Sequence, residues 1–342
     1  MTLRHACGWE SGSTGQGFAT SGGVDALHTD TRGYWSAYAA HIEATRRQHL
    51  GVARSEWFAG FAVRFHGSGD ASIFAFEASD ATAQASVGWD ANTGQLVAYR
   101  GDGATELGRT AKGIPPNQWR YVEWHLVISD TAGVFEIRVD EELWLSLTGV
   151  DTKEHASEAT AEFFRVFGAS SFARQRDIDD LVVLDTDGTV NSSWPGDTAI
   201  EGLQVTANGD VTQLSRGGTD SGANWSQVDE VPASDADYVF SSTPDQRDLY
   251  VLEDMAAELT DVRAVVAWLR AQKTDAGSAS IAHVVKYDSN GDAIPDTEST
   301  GPDHPLTVGV WRYFERLMES QPDGSSWTRA KVNALQLGAK VR

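Results

Sequence analysis

The residues of this chain whose types and spacing could do chemistry are mostly carboxylates on loops and strand ends. Asp288, Asn290 and Asp292, in DSNGDAIPDTES, set oxygen ligands on alternate residues as the start of a calcium loop does. Against Ca2+, Ala293 stands where an EF-type loop needs glycine, Ser299 where it needs a bidentate acid, and Pro295 interrupts the run. Asn290-Gly291 after an alternating strand is a hairpin turn by itself, so a turn is expected there, with Ca2+ as the alternative and no other cofactor. Asp177, Asp179 and Asp180 form a second cluster, read as polar residues that open a strand ladder and face water, with a metal as the lesser reading. Glu136 and Asp140, in FEIRVDEE, match the solvent side of a hairpin. The histidines, including His5, His28, His41, His66, His125 and His155, show no H-x-x-x-H or H-E-x-x-H spacing, which leaves zinc unsupported. Cys7 reads as a small semi-buried residue, and the GSGD, GDG and RGGTD stretches lack the strand and lysine of a phosphate loop. No catalytic or cofactor-binding residue is assigned, and the expectation is a chain that is not an enzyme.

The elements that must carry these residues read as strands. Period-2 alternation marks Trp57–Phe65, Ser72–Glu77, Gln95–Tyr99, Tyr121–Ile128, Val134–Val139 and Ile178–Leu184. In the second half it marks Ala264–Arg270, Ser280–Tyr287, Val310–Met318 and Val332–Leu337, with DANTG, DSNG and QPDG as turns between strands. Tyr34–Leu50 is read as strand in spite of its alanines, and Leu249–Leu259 as one short helix or turn. Trp57, Trp89, Trp119, Trp124, Trp268 and Trp311 are assigned to cores, whereas Trp9, Trp144, Trp194 and Trp225 lie nearer ends or loops. An exposed ring of that second group could seat a sugar, although packing is the plainer reading.

Thr189–Ala199 (TVNSSWPGDTA) reads as a linker, dividing the chain into domains 1–193 and 194–342. The halves echo one another: W-R-Y-V-E at Trp119 and W-R-Y-F-E at Trp311 each open a strand, and GFAVRF precedes the first as VVAWLR precedes the second. A third echo joins Phe172 and Arg174, leading to Ile178-Asp179-Asp180-Leu181, with Trp327 and Arg329, leading to Val332-Asn333-Ala334-Leu335. The fold class expected is all-β, two antiparallel β-sandwich domains in tandem, the second shorter.

The 342 residues carry 27 Lys and Arg against 49 Asp and Glu, a formal charge of −22. That field repels phosphate backbones and anionic lipid, so nucleic acid is not an expected partner. No run has the length and apolarity of a membrane helix, and the first thirty residues lack the order of a signal peptide, so synthesis in the cytosol without membrane insertion is expected. The 33 glycines beside 12 tryptophans and 13 phenylalanines suit turns and the filling between two sheets.

The ordered set WFAGFAVRF, NTGQLVAYRG, PPNQWRYVEWHLVI, GVFEIRVDEELWLSLTG and IDDLVVLDTDG resembles the concanavalin A-like, laminin-G-type jelly roll. The stretches that follow, through SSWTRAKVNALQLGAKV, resemble what accompanies it in phage tail proteins. The resemblance implies a structural virion component, made in the host cytoplasm and built into a tail tip, baseplate or fibre. Its partners would be other virion proteins and copies of itself in a homo-oligomer, and a glycan of the host surface. A lectin-like receptor binder, a head-decoration protein and a glycan depolymerase are the alternatives. Glucanases of that superfamily carry E-x-D-x-x-E on one strand, a spacing this chain lacks.

Overall fold

Strict alternation in GFAVRF, YVEWHLV and VFEIRV gives each strand one apolar side, and the strands must bury those sides against a second layer. The computed structural model describes residues 2–13, 16, 26–32, 36, 38–41, 44–67, 69, 71–168, 176–191 and 194–342. They fall into two compact units, residues 1–10 with 14–200, and residues 11–13 with 201–342.

The described residues of the first unit form β1 (Thr2–Cys7), β2 (Ala26–His28), β3 (Ala39–His41), β4 (Arg46–Arg54), β5 (Glu56–Phe65), β6 (Ala71–Glu77) and β7 (Ala83–Trp89). They continue as β8 (Gln95–Arg100), β9 (Thr105–Gly113), β10 (Arg120–Val127), β11 (Gly133–Val139), β12 (Glu142–Val150), β13 (Ala161–Val166) and β14 (Arg176–Asp185). All pair antiparallel into two sheets, ordered β12-β11-β10-β5-β14-β3-β2, with β1 also on β14, and β4-β13-β6-β7-β8-β9. This is a jelly-roll sandwich. Trp57, Phe61, Phe65, Val122, Trp124, Ile137 and Ile178 of the larger sheet meet Phe74, Phe76, Val87, Trp89 and Phe164 of the other in one core. Phe65 stacks on Trp89 at 4.4 Å and Trp57 on Phe76 at 5.5 Å, and burying each such ring stabilises the unit by roughly 2–3 kcal/mol.

The second unit contains β15 (Val205–Thr212), β16 (Ser215–Gly217), β17 (Tyr238–Phe240), β18 (Arg247–Leu252), β19 (Val265–Ala271), β20 (Ser280–Tyr287) and β21 (Thr297–Thr300). It closes with β22 (His304–Pro305), β23 (Arg312–Met318), the short helix α1 (Arg329–Asn333) and β24 (Gln336–Val341). The main sheet runs β15-β18-β24-β20-β21, with β22 also on β20, while β16–β17 and β19–β23 are two-stranded. Ala267 of β19 and Met318 of β23 share a core with Val285 and Tyr287 of β20 and with Trp327, Val332 and Leu335. The β19–β23 pair therefore packs on the main sheet as the thin layer of a smaller β-sandwich.

Several expectations change. Leu249–Leu259 is not helical: its first residues belong to β18, which pairs with β15 and β24 on its two sides. Val332–Leu337 is not one strand, because Thr328 caps α1 by accepting from the Lys331 N–H, and only Gln336 onward is extended. Of the echoes, the first two reappear as antiparallel pairs, β5 with β10 and β19 with β23. The third does not, since β14 lies beside β5 whereas β24 lies in a different sheet from β19. Phe172 and Arg174 lie outside the described residues, as do residues 33–35, 37, 42 and 43 of Tyr34–Leu50. The rest of that stretch supplies β3 and the start of β4. Among the described residues no helix is long and apolar enough to cross a membrane.

Candidate functional site

On the larger sheet of the first unit, the residues that alternate with the core form an outer face rich in ionisable groups. On β10, Val122, Trp124 and Leu126 enter the core, so Tyr121, Glu123 and His125 point outward. On β14 a bulge between Asp179 and Val182 sets two residues against one of β5, and Asp180 takes a φ of +51°. Ile178, Leu181 and Val183 keep the core side, while Asp177, Asp179 and Asp180 share the other.

Those three aspartates do not face water as expected; all are fully buried. Asp177 accepts from His41 Nδ1 (2.9 Å), Arg64 Nη2 (2.7 Å) and His66 Nε2 (2.6 Å). Burial alone would raise its pKa, but these hydrogen bonds outweigh it and hold the carboxyl well below the usual range. Burial first, and the neighbouring Asp180 second, push the Asp179 pKa well above the usual carboxylate range. The Ser36 hydroxyl sits between Asp179 Oδ2 (2.9 Å) and Glu10 Oε1 (2.7 Å).

The stretch read as a linker crosses this face instead. Within residues 194–200, the Gly196 N–H donates to Glu123 Oε1 (2.7 Å) and the Ile200 N–H to Asp180 Oδ1 (2.7 Å). Arg32 holds the strap through the Thr198 carbonyl (3.0 Å), Asp180 (3.2 Å) and Asp197. Pro195 lies over Gly60 of β5, where a Cβ would stand 3.0 Å from Pro195 Cβ and run into the Tyr121 hydroxyl.

Beyond the strap the face opens at His125. Its Nδ1 faces Glu136 Oε2 (3.0 Å) and its Nε2 faces Glu56 Oε1 (2.9 Å), so the imidazole is held between two carboxylates. The ring stacks flat on Phe58 (4.2 Å, 5°), with Trp194 edge-on to both at 5.3 and 5.7 Å. The Arg138 guanidinium lies 4.1 Å over the Trp194 ring, and the Ser146 hydroxyl donates to Glu136 (2.9 Å). Although burial opposes it, bonding from His125 and Ser146 keeps the Glu136 pKa low. This group combines a half-buried tryptophan, two carboxylate acceptors, a cation and a hydroxyl. It can stack a flat apolar ligand face while bonding the ligand's polar edge.

The sequence singled out Glu136 and Trp194 without linking them. Asp140 lies apart from the group, at the β11–β12 turn, where it accepts from Arg120 (2.7 Å) and from the Tyr121 N–H (3.0 Å). His125 and Glu56 were missed; the available signal was their outward phase on strands whose alternate residues are core. Asp288 spends its carboxylate on the N–H groups of Asn290 (3.1 Å), Gly291 (2.6 Å) and Ala293 (2.8 Å). Asn290 and Asp292 likewise cap the N–H groups of Asp292 and Ile294. Trp9, expected near an end or loop, is fully buried in the core, as is Cys7. Trp119, Trp268 and Trp311, expected in cores, are half-buried.

No family model and no curated protein matches this chain. Among solved structures it is similar to an endo-β-1,4-glucuronan lyase from the fungus Trichoderma reesei, at 20% identity and TM-score 0.33, covering 46% of this chain and 78% of that one. It is similar to alginate lyase Aly36B at 15% identity and TM-score 0.37, covering 52% and 95%. A third likeness is to the Caenorhabditis elegans galectin LEC-6, at 11% identity and TM-score 0.29, covering 42% and 90%. At such identities the likeness extends to the β-sandwich class alone. It nevertheless corrects the expectation that the chain is not an enzyme. The solved structures it is similar to include a glucuronan lyase and an alginate lyase.

Proposed function

We propose that this chain recognises a glycan on the open part of the larger sheet of its first unit, with His125, Glu136, Arg138 and Trp194 in contact with the sugar. The carrying observation is that an aromatic ring, two carboxylates and a guanidinium converge on one half-exposed spot. A pyranose offers the matching surfaces, an apolar C–H face and an edge of hydroxyls. The finer reading is a component of a tailed-phage virion, built into a tail tip, baseplate or fibre and touching the host envelope through this site. What supports it is the ordered motif resemblance along the sequence, together with a net charge of −22 that suits contact with glycan rather than nucleic acid.

The test is a glycan array with the purified chain, repeated with Trp194→Ala and Glu136→Gln, alongside assays for reducing or unsaturated ends released from the bound polysaccharide. Saturable, sugar-competed binding that weakens about tenfold or more in Trp194→Ala, roughly 1.4 kcal/mol, supports the reading. Binding that both variants leave unchanged, or no binding by the folded chain, refutes it. The virion placement is tested separately, by quantitative mass spectrometry of particles released from the cells that encode the chain; its absence from them removes that placement.

A further inference from the structure

The thin layer of the second unit leaves aromatic rings half-exposed that a fold alone would bury. Ala267 of β19 and Met318 of β23 point into the core, so strand alternation sends Trp268 and Arg270, with Tyr313 and Glu315, to the other side. In the β19–β23 register Trp268 stands opposite Glu315 and Arg270 opposite Tyr313. Trp311 lies just ahead of β23. The Trp268 and Tyr313 rings are 6.4 Å apart, and the Arg270 guanidinium sits 4.9 Å from the Trp311 ring and 5.7 Å from that of Tyr313. From β17, Tyr238 meets Trp311 edge-on at 6.4 Å, with Phe240 beside it; they are 37% and 52% exposed.

A contiguous aromatic surface left open to water marks a binding surface. The distribution of charge selects its occupant. A protein interface concentrates apolar groups at its centre and polar groups at its rim. Here Arg270 stands between two rings and Glu315 faces a third, so polar and apolar groups alternate across the face itself. A sugar chain has that alternation, with C–H faces for the rings and hydroxyls for Arg270 and Glu315. Asp235 pairs with Arg270 and matches its charge, while the chain as a whole is strongly acidic, which disfavours a polyanion. We propose that the outer face of β19 and β23 is a second glycan-binding site and that it takes a neutral polysaccharide. The site lies in the other unit and does not rest on the His125 group.

The experiment is affinity electrophoresis of the full chain in gels containing dextran, mannan, a β-glucan or, for comparison, polyuronate. Trp268→Ala/Tyr313→Ala, Trp268→Phe/Tyr313→Phe and Trp194→Ala are run beside the unchanged chain, with circular dichroism as the check on folding. The expected result is retardation by at least one neutral polysaccharide that falls tenfold or more in Trp268→Ala/Tyr313→Ala and is largely kept in the Phe pair. If the Ala pair does not fold, Arg270→Glu, which reverses the cation between the rings, is expected to lose the retardation instead. Retardation lost in Trp194→Ala and kept in the β19–β23 variants overturns this proposal while leaving the first-unit site standing. Retardation by polyuronate alone, or by none of the gels, overturns it too. So does concentration-dependent self-association that only the Ala pair abolishes, since the occupant would then be a second copy of the chain.

Discussion

Gly60 shows how a single missing Cβ shapes the first unit. The position lies on the outward side of β5, where Pro195 and the Tyr121 hydroxyl close over it. Gly60→Ala would push both away, and overpacking of this kind costs about 1–3 kcal/mol. Tyr121→Phe removes the nearer obstacle. Chemical denaturation should therefore show Gly60→Ala destabilising the chain, with the loss partly recovered in Gly60→Ala/Tyr121→Phe. A recovery of zero would place the clash on Pro195 and the Tyr121 ring rather than on the hydroxyl. Glycine at this point could not be explained from the sequence, because Tyr121 and Pro195 are distant in the chain. The same holds for the candidate site: His125 was visible as a strand residue, but Trp194 sat in a Ser, Pro and Gly stretch that carries every local mark of a linker.

Among the elements, the strands that cross the middle of a sheet were the legible ones. β5, β10 and β11 alternate cleanly because one side of each is wholly core. The alternation misleads where tertiary pairing overrides it, as in β18, whose helix-like spacing yields to neighbours on both edges. It also hides the bulge in β14. Deleting Asp180 would restore one-to-one pairing with β5 and keep Leu181 and Val183 in the core, while removing the acceptor of the Ile200 N–H and one anchor of Arg32. The expected outcome is a folded first unit, weaker by about 1–3 kcal/mol, in which the Ile200 amide exchanges its hydrogen faster. Exchange there as slow as in the unchanged chain would show that the strap does not depend on the bulge.

At the scale of the whole molecule, two cores of unequal extent should melt separately, the second unit first, and the second unit carries a pH dependence of its own. Burial pulls the His283 pKa down to about 4, and its Nε2 lies 3.2 Å from the Phe314 carbonyl. The unfolded histidine takes its proton near pH 6.5 and the folded one only near 4, so stability falls as pH drops through that window and recovers above it. The loss amounts to roughly 3 kcal/mol. Calorimetry between pH 7 and 4 should show the lower transition moving down, with a flatter slope in His283→Gln; an unchanged slope would assign the effect elsewhere. The position of β24 has a consequence for synthesis as well. It sits between β18 and β20 in the middle of the main sheet, so the β15–β18 and β20–β21 pairs each keep an open edge until Gln336–Val341 has been made. The first unit can close once its strap through Ile200 is made, and a nonsense codon between Ile200 and Gln336 would release a chain with that unit folded and the edges of β18 and β20 left open.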